Sequence, residues 1–378
     1  MARGVRRCGE LRATMIAFKN IVRAAYRGVI GVGTLATLPF RASGGKIAVS
    51  YAGARPGDFG GTLVKVRLLQ NRFPEHRIRF SLFYVLSNAI YLPQTVLDRA
   101  RAAGLPVVLN QNGVFYPGWY PTEWERENLR MARVHSVADY VFYQSEFCRR
   151  CAERFLGARA GRSEILYNGV DTGHFTPRED AAQQRPFTFL VIGKIGPSTA
   201  YRLTSSLAGL AAARSGGLDV RLTIAGVVDA DVETTARAQA ERLGLGDAVS
   251  FRGPYSGVQA PQIYRGADAY LMTKHNDPCP NAVLEAMACG LPVLYSASGG
   301  VPEQVGPDAG VGMRVPDTFD VDVTPEPKAI AEGMAHVIGD RERMAAAARA
   351  RAVERFDLSK WFDRHEAVFR LLVEKKAT

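Results

Sequence analysis

From Lys46 onward, short continuous apolar runs alternate with longer segments of helical period, and few folds can bury that pattern. The first half runs through "KIAVSYA", "RIRFSLFYVL", "PVVLNQ", "DYVFYQS" and "EILYN", separated by segments such as "TLVKVRLLQNRF" and "WERENLRMARVHSVA". The second half repeats the scheme with "FTFLVIG", "VRLTIAG", "AVSFRG", "AYLMT" and "PVLYS". A strand that is apolar at successive positions is buried on both faces, which calls for parallel sheets covered by helices. The chain's 378 residues, 47% of them hydrophobic, can bury more core than one domain needs. The pattern therefore predicts an α/β chain of two Rossmann-like, doubly wound parallel-sheet domains facing a cleft, over residues 46–180 and 181–356. The polar stretch "TPREDAAQQRP" (Thr176 to Pro186) reads as their linker. Residues 357–378 read as an amphipathic helix in need of a partner, with Leu358, Trp361, Phe362, Val368, Phe369 and Leu372 apolar.

Charge is concentrated at the N-terminus. The formal net charge is +11, yet residues 1–46 hold nine Lys or Arg against the single acid Glu10, which leaves +3 for the other 332 residues. The body thus lacks the basic field that a nucleic-acid partner requires. Within this segment the longest apolar run, Gly28 to Phe40, is 13 residues, short of the roughly 20 of a spanning helix, and arginines interrupt the order of a secretory leader. Residues 1–45 are expected as a basic arm. Its Leu11, Ile16, Phe18, Ile21, Val22 and Tyr26 suit a helix lying on anionic lipid, while a solvated tail or a helix packed on the body explains them equally. Five cysteines make no disulfide framework, and the lone CxxC of Cys148 and Cys151 reads as one helix face rather than a zinc site. The expected location is the cytoplasm, peripheral on the inner face of the membrane if the arm binds lipid.

Ligands of open α/β sheets bind beyond the carboxyl ends of the strands, where helix N-termini face the crevice. Three loops lie there. In "ARPGDFGGTLVK", Gly60 and Gly61 either let the backbone approach a phosphate or simply make a tight turn. In "VIGKIGPSTAYR", Gly193 turns the chain, and Lys194 and Arg202 bring two cations that suit a diphosphate. In "HNDPCPNAVLEAMACG", Asp277 precedes a helix and Glu285 lies about one turn into it. The amides of Asn281, Ala282 and Val283 would point between them at an anion. Two carboxylates for hydroxyls, with cations and amides between, suit a nucleotide sugar.

These stretches carry a resemblance. The stretch from Asp277 to Glu285, with its two acids eight residues apart, and the "EAMACGLPVLYSASGGVPE" that continues it from Glu285 resemble the E-x7-E signature region of the large retaining glycosyltransferase family 4, whose members have the GT-B fold. "LYNGVDTGHFTP" (Leu166 to Pro177) and "YQSEFCRRCAERFLG" resemble the segments leading into that family's second domain. "FDLSKWFDRHEAVFRLL" resembles its closing helix, which crosses back onto the first domain. The resemblance implies that Glu285 binds the donor ribose and that Asp277 contacts the donor sugar. Lys194 and Arg202 would hold the diphosphate beside Gly60 and Gly61. The sequence departs from the family where Asp277 stands for Glu, Lys194 for Arg, and Asn112 for a frequent histidine, and Arg202 falls two residues late.

The implied activity is transfer of a sugar, with retention, from a nucleotide-diphosphate donor to an acceptor hydroxyl, without a cofactor or metal. No DxD is placed to hold one, since Asp229 in "DADVE" reads as a helix cap. A sugar-nucleotide epimerase, a phosphorylase or a non-catalytic sugar-nucleotide- or glycan-binding subunit are the rival readings. The acceptor is expected to be a glycan or lipid-linked glycan of surface-polysaccharide or glycolipid synthesis. Asn112 is expected in the acceptor cleft, and in "NGVFYPGWYPTEW" the aromatic residues, Tyr116 and Trp119 among them, would either stack on the acceptor or serve as a lid or as packing.

Overall fold

The structure, a computed structural model, describes residues 21–40, 42, 45–57, 60–179 and 185–374. Two parallel sheets account for the alternation. The first has five strands in the order β1 to β5: β1 (Val49–Ser50), β2 (Leu82–Leu86), β3 (Val107–Gln111), β4 (Tyr140–Tyr143) and β5 (Arg162–Ile165). Its helices are α2 (Gly61–Arg72), α3 (Gln94–Ala102), α4 (Trp124–Val137) and α5 (Glu146–Leu156). A single bridge, Val49 to Glu75, adds an outer edge beyond β1. The chain therefore leaves β1 in one direction and returns for β2 in the other. This reversal puts α2 on one face of the sheet and α3 to α5 on the other.

Strand alternation follows the same division. Leu82, Tyr84 and Leu86 of β2 face Val66 and Leu69 of α2, while Phe83 and Val85 face Val96, Leu97 and Ala100 of α3. Both faces are buried, which is why these strands read as unbroken apolar runs.

The second sheet has six strands: β6 (Phe187–Ile192), β7 (Val220–Ala225), β8 (Val249–Phe251), β9 (Ala269–Met272), β10 (Val293–Ser296) and β11 (Gly310–Met313). Their spatial order, β11-β10-β9-β6-β7-β8, is doubly wound, with the switch point between β6 and β9. Helices α6 (Tyr201–Ser215), α7 (Ala230–Arg242) and α11 (Pro327–Gly339) cover one face. On the other lie α8 (Ala260–Arg265), α9 (Asn281–Ala288), α10 (Val301–Val305) and α12 (Arg341–Arg355). Asp229 caps α7, its side chain accepting the Asp231 N–H at 3.1 Å.

The last helix, α13 (Leu358–Glu374), returns to the first domain and lays Trp361, Val368, Phe369, Leu372 and Val373 against Tyr84 and Phe73. Its fully buried His365 bonds Tyr84 Oη at 2.9 Å and the Trp361 carbonyl at 2.8 Å. The chain crosses between domains at two adjacent points. Leu166 packs in the first core and Val170 in the second; Phe356 packs in the second and Leu358 in the first. Val170 bridges to the segment around Asp357 there, its N–H donating to Phe356 O at 2.8 Å and its carbonyl accepting the Leu358 N–H at 2.9 Å. The first crossing thus precedes the expected linker, because Val170 and Phe175 are already needed to fill the second core. Of that linker, residues 180–184 lie outside the described residues.

Across the junction, Glu303 of α10 accepts the N–H groups of Glu146 at 2.7 Å and Phe147 at 2.8 Å, and the Tyr167 hydroxyl at 2.9 Å. A carboxylate of one domain thereby satisfies the open amides at the N-terminus of α5 in the other. A β-carbon at Gly300 would collide with Ser145 and the Pro278 carbonyl, so glycine permits this approach.

The N-terminal segment departs from expectation. Residues 21–37 form helix α1, continued by a 3-10 turn at Leu38–Phe40. Ile21–Phe40 is long and apolar enough to cross a membrane, a length the count from Gly28 missed because it stopped at Arg27. One side of α1 rests on the first domain: Tyr26 Oη donates to Gly53 O at 2.7 Å, and Gly31 lies against Pro93. Leu11, Ile16 and Phe18 lie outside the described residues.

Two variants test these packing arguments. Phe369→Ala should cost about 3–5 kcal/mol in the first domain, seen as a lower urea midpoint. Glu303→Ala leaves two helix-terminal amides unpaired at the junction; it should cost about 1–3 kcal/mol and raise the radius of gyration in small-angle scattering.

Candidate active site in the interdomain cleft

Both switch points open on the space between the domains. At the end of β6, Gly193 adopts φ +135°, which favours glycine, and Lys194 follows it exposed. Arg202 lies at the same strand end, as the sequence suggested, but below the surface. It is buried in the first turn of α6, with Nη2 donating to the Ile192 carbonyl at 3.1 Å and Nε unpartnered. Its charge acts from beneath the Gly193 turn, with no carboxylate in ion-pair range among the described residues.

At the end of β9 the loop passes through Asn276 in the left-handed region, φ +49°. Asp277 then pairs with Lys274, Nζ to Oδ2 at 2.7 Å, and accepts the Cys279 N–H at 3.2 Å. Lys274 was missed, although its spacing of three residues from Asp277 was visible. The carboxylate meets a ligand already neutralised. Beside it His275 is fully buried, with no hydrogen-bond partner for either ring nitrogen and Asp322 Oδ1 3.6 Å from Nδ1.

Helix α9 starts after Pro280, without a side-chain cap. The Asn281 and Ala282 amides find no acceptor among the described residues. The Val283 amide donates to Pro280 O at 3.2 Å, so it is not free for an anion as expected. Asn168, from the "YNGVD" segment, holds the turn by donating to Cys279 O at 3.0 Å and to Asn281 Oδ1 at 2.7 Å. Glu285 lies one turn on, where its Oε2 accepts the Tyr264 hydroxyl at 2.7 Å. Burial raises the pKa of this carboxyl, which the Tyr264 bond partly opposes.

The first domain contributes bare backbone and a polar floor. Gly60 has φ +90°, and a β-carbon there or at Gly61 would meet open space. Asn112, after β3, accepts hydrogen bonds from the Lys65 ammonium at 2.9 Å and from Gln144, and donates to Asn88 Oδ1 at 2.7 Å. Lys65 also escaped notice, although a lysine between Val64 and Val66 on a helix's inner stripe was a visible anomaly.

The aromatic loop is not an open stacking platform. Phe115 and Trp119 stack on each other, 5.0 Å apart and 5° from parallel. Tyr116 is buried, because Phe319 of the second domain enters its pocket with ring centroids 5.3 Å apart. Gly118 N–H closes this contact on the Phe319 carbonyl at 2.8 Å. Trp119 alone of the two expected acceptor residues keeps substantial exposure. Nothing in the apolar periodicity of "VPDTFDVDV" marked it as a strap between domains. Beside Glu303, a cavity of about 630 Å³ lies between α5 and the Ala297–Gly299 turn.

Residues 176–353 match the family described as glycosyl transferases group 1. D-inositol 3-phosphate glycosyltransferase of Actinosynnema mirum is 32% identical over 154 residues, 37% of each chain. The same-named protein of Mycobacteroides abscessus is 32% identical over 169 residues, 42% of this chain and 37% of its own. The chain thus spans less than half the length of these curated relatives. Two solved structures share the architecture at low identity. Sucrose-phosphate synthase of Thermosynechococcus elongatus has a TM-score of 0.61 at 18% identity, over 82% of this chain and 77% of its own. HepE of Anabaena in complex with UDP and glucose has a TM-score of 0.59 at 19%, over 83% and 84%. The chain has the GT-B fold, and its second domain is similar to the group 1 glycosyl transferases.

Proposed function

We propose that the protein is a retaining glycosyltransferase that moves a sugar from a nucleotide-diphosphate donor to an acceptor hydroxyl. The observation that carries this reading is the pair Asp277 and Glu285 on either side of the α9 N-terminus, with the bare Gly60–Gly61 backbone at the start of α2 in the first domain. Glu285 takes the ribose hydroxyls, while Tyr264 holds its Oε2. Asp277 and Lys274 take the donor sugar. Lys194, the buried charge of Arg202 and the Asn281 and Ala282 amides offset the charge that grows on the leaving diphosphate. The acceptor oxygen bonds to the anomeric carbon on the face the phosphate leaves, the carbon–phosphate oxygen bond breaks, and the acceptor proton passes to that phosphate oxygen. Neither metal nor cofactor enters this scheme. UDP-sugars are the first donors to test, since the HepE structures hold UDP, glucose and UDP-glucose.

We further propose that the acceptor is a glycan or lipid-linked glycan of surface-polysaccharide or glycolipid synthesis, met on the inner face of the membrane. The outer side of α1 supports this: Ile21, Val22, Val29, Val32 and Phe40 are exposed, Val29 and Val32 by about 70%. Arg23 and the basic residues before it complement anionic headgroups. Because the other side of α1 is spent on the first domain, the helix would lie in the interface rather than span it.

Ligand that binds only the folded state raises the melting temperature. UDP or a UDP-sugar should do so, and Glu285→Ala should weaken binding by about 3 kcal/mol, about two orders of magnitude in Kd. Product of inverted anomeric configuration, or a requirement for divalent metal revealed by EDTA, would overturn the mechanism; binding without turnover would favour a non-catalytic subunit. In flotation, the protein should rise with phosphatidylglycerol-containing vesicles and not with pure phosphatidylcholine, and Val29→Glu with Val32→Glu should abolish this. Flotation of that double variant would exclude α1 as the contact.

A further inference from the structure

We infer that Lys65 is a positioning residue for the first-domain half of the cleft: it holds the Asn112 carboxamide with its oxygen inward and its amide hydrogens outward, toward an acceptor oxygen. The identity of that ligand rests on the proposed glycosyl transfer; the positioning itself does not.

Lys65 is 4% exposed, one turn into α2 behind Gly60 and Gly61. Its Nζ donates to Asn110 Oδ1 at 2.8 Å and Asn112 Oδ1 at 2.9 Å. Gln144 Nε2 donates to the same two oxygens. An ammonium has no lone pair, so only the carboxamide oxygen can face it. Asn112 Nδ2 is thereby turned outward to Asn88 Oδ1, which also accepts the Thr62 hydroxyl at 2.8 Å. Asn88 is exposed, and with its oxygen occupied by two donors it presents its own amide hydrogens. The floor of the cleft is therefore donor-rich, suited to oxygen lone pairs of a sugar or phosphate. The direction of the Asn112 amide is set by a buried cation.

Lys65 has no carboxylate partner among the described residues. The titratable groups around it are Cys148 of α5 and Cys279 of the second domain, His365 of α13 and, behind His365, Tyr84 of β2. Burial pushes both thiols up to about 12, His365 down to about 3 and Tyr84 well above its usual value, so all four are neutral near pH 7. Burial lowers Lys65 itself to about 7. Below that pH the ammonium locks Asn112. Above it the neutral amine keeps N–H groups to donate but gains a lone pair that can accept an N–H from a turned carboxamide, so as pH rises Lys65 ceases to exclude that orientation and the Gln144 bond alone opposes it.

The test is a pH titration of the full-length protein with 15N-labelled asparagine side chains, the Asn112 signal being identified by its loss in Asn112→Asp. Its amide pair should move with a midpoint near pH 7 in the wild type and stay fixed from pH 6 to 8.5 in Lys65→Arg. In Lys65→Met it should hold the high-pH position throughout, so the comparison survives if the arginine variant fails to fold. A wild-type signal that does not move, or that moves alike in Lys65→Arg and Lys65→Met, overturns the inference. Lys65→Met should also lower turnover about tenfold, one hydrogen bond's worth, while keeping the UDP-induced melting shift. Absence of that shift in the wild type would count against glycosyl transfer, whereas the titration needs no nucleotide.

Discussion

The contact between Glu303 and the first two amides of α5 fixes how the two halves of this molecule face each other. A helix N-terminus carries unpaired donors and a partial positive charge, and here both are satisfied from the other domain. Everything around it is packed so closely that glycine is required: Gly300 passes Ser145, Gly113 lies against Pro278, and Gly118 lies against the backbone of Val321. The position of Asp277, whose carbonyl accepts the Gly300 N–H at 2.9 Å, is thus tied to the same joint. Donor-side chemistry and interdomain geometry share one set of atoms.

Charge within the cleft is arranged in an unusual economy. Asp277 carries its own counter-ion in Lys274, and Arg202 is held below the surface rather than at it. The exposed cation at the β6 end is Lys194. A diphosphate in this site would therefore meet one exposed cation, one buried one and two free amides, so that backbone donors contribute to the field as well as side chains.

Much of this was legible in sequence because its cause is local. Continuous apolar runs such as "LFYVL" and "FLVI" follow from burial on both faces, and the positions of Gly193, Asp277 and Glu285 at strand and helix ends follow from those runs. Strand β11 was not legible: its Gly310 and Gly312 exist to fit beside Val293 and Tyr295, so packing removed the apolar signal that would announce a strand. The burial of Arg202 and Tyr116 and the engaged amide of Val283 were hidden for a related reason. Spacing says which end of a strand a residue occupies, but whether its polar atoms remain free depends on partners far away in the chain, such as Phe319 for Tyr116. The role of Lys65 is of that kind, since its acceptors lie on β3, at Asn110, and just after it, at Asn112.

The paired crossings at Val170 and Asp357 bear on how the cleft can move. Two covalent connections between rigid bodies, placed side by side and stitched to each other by backbone hydrogen bonds, behave as a single knuckle. Sliding of one domain along the other would shear that stitch, and twisting would separate its strands. What remains soft is rotation about a line through the knuckle, with Glu303 and Phe319 out along the moving rim. Access to the site is then described by one angle, and ligands that touch both rims act with the longest lever on it.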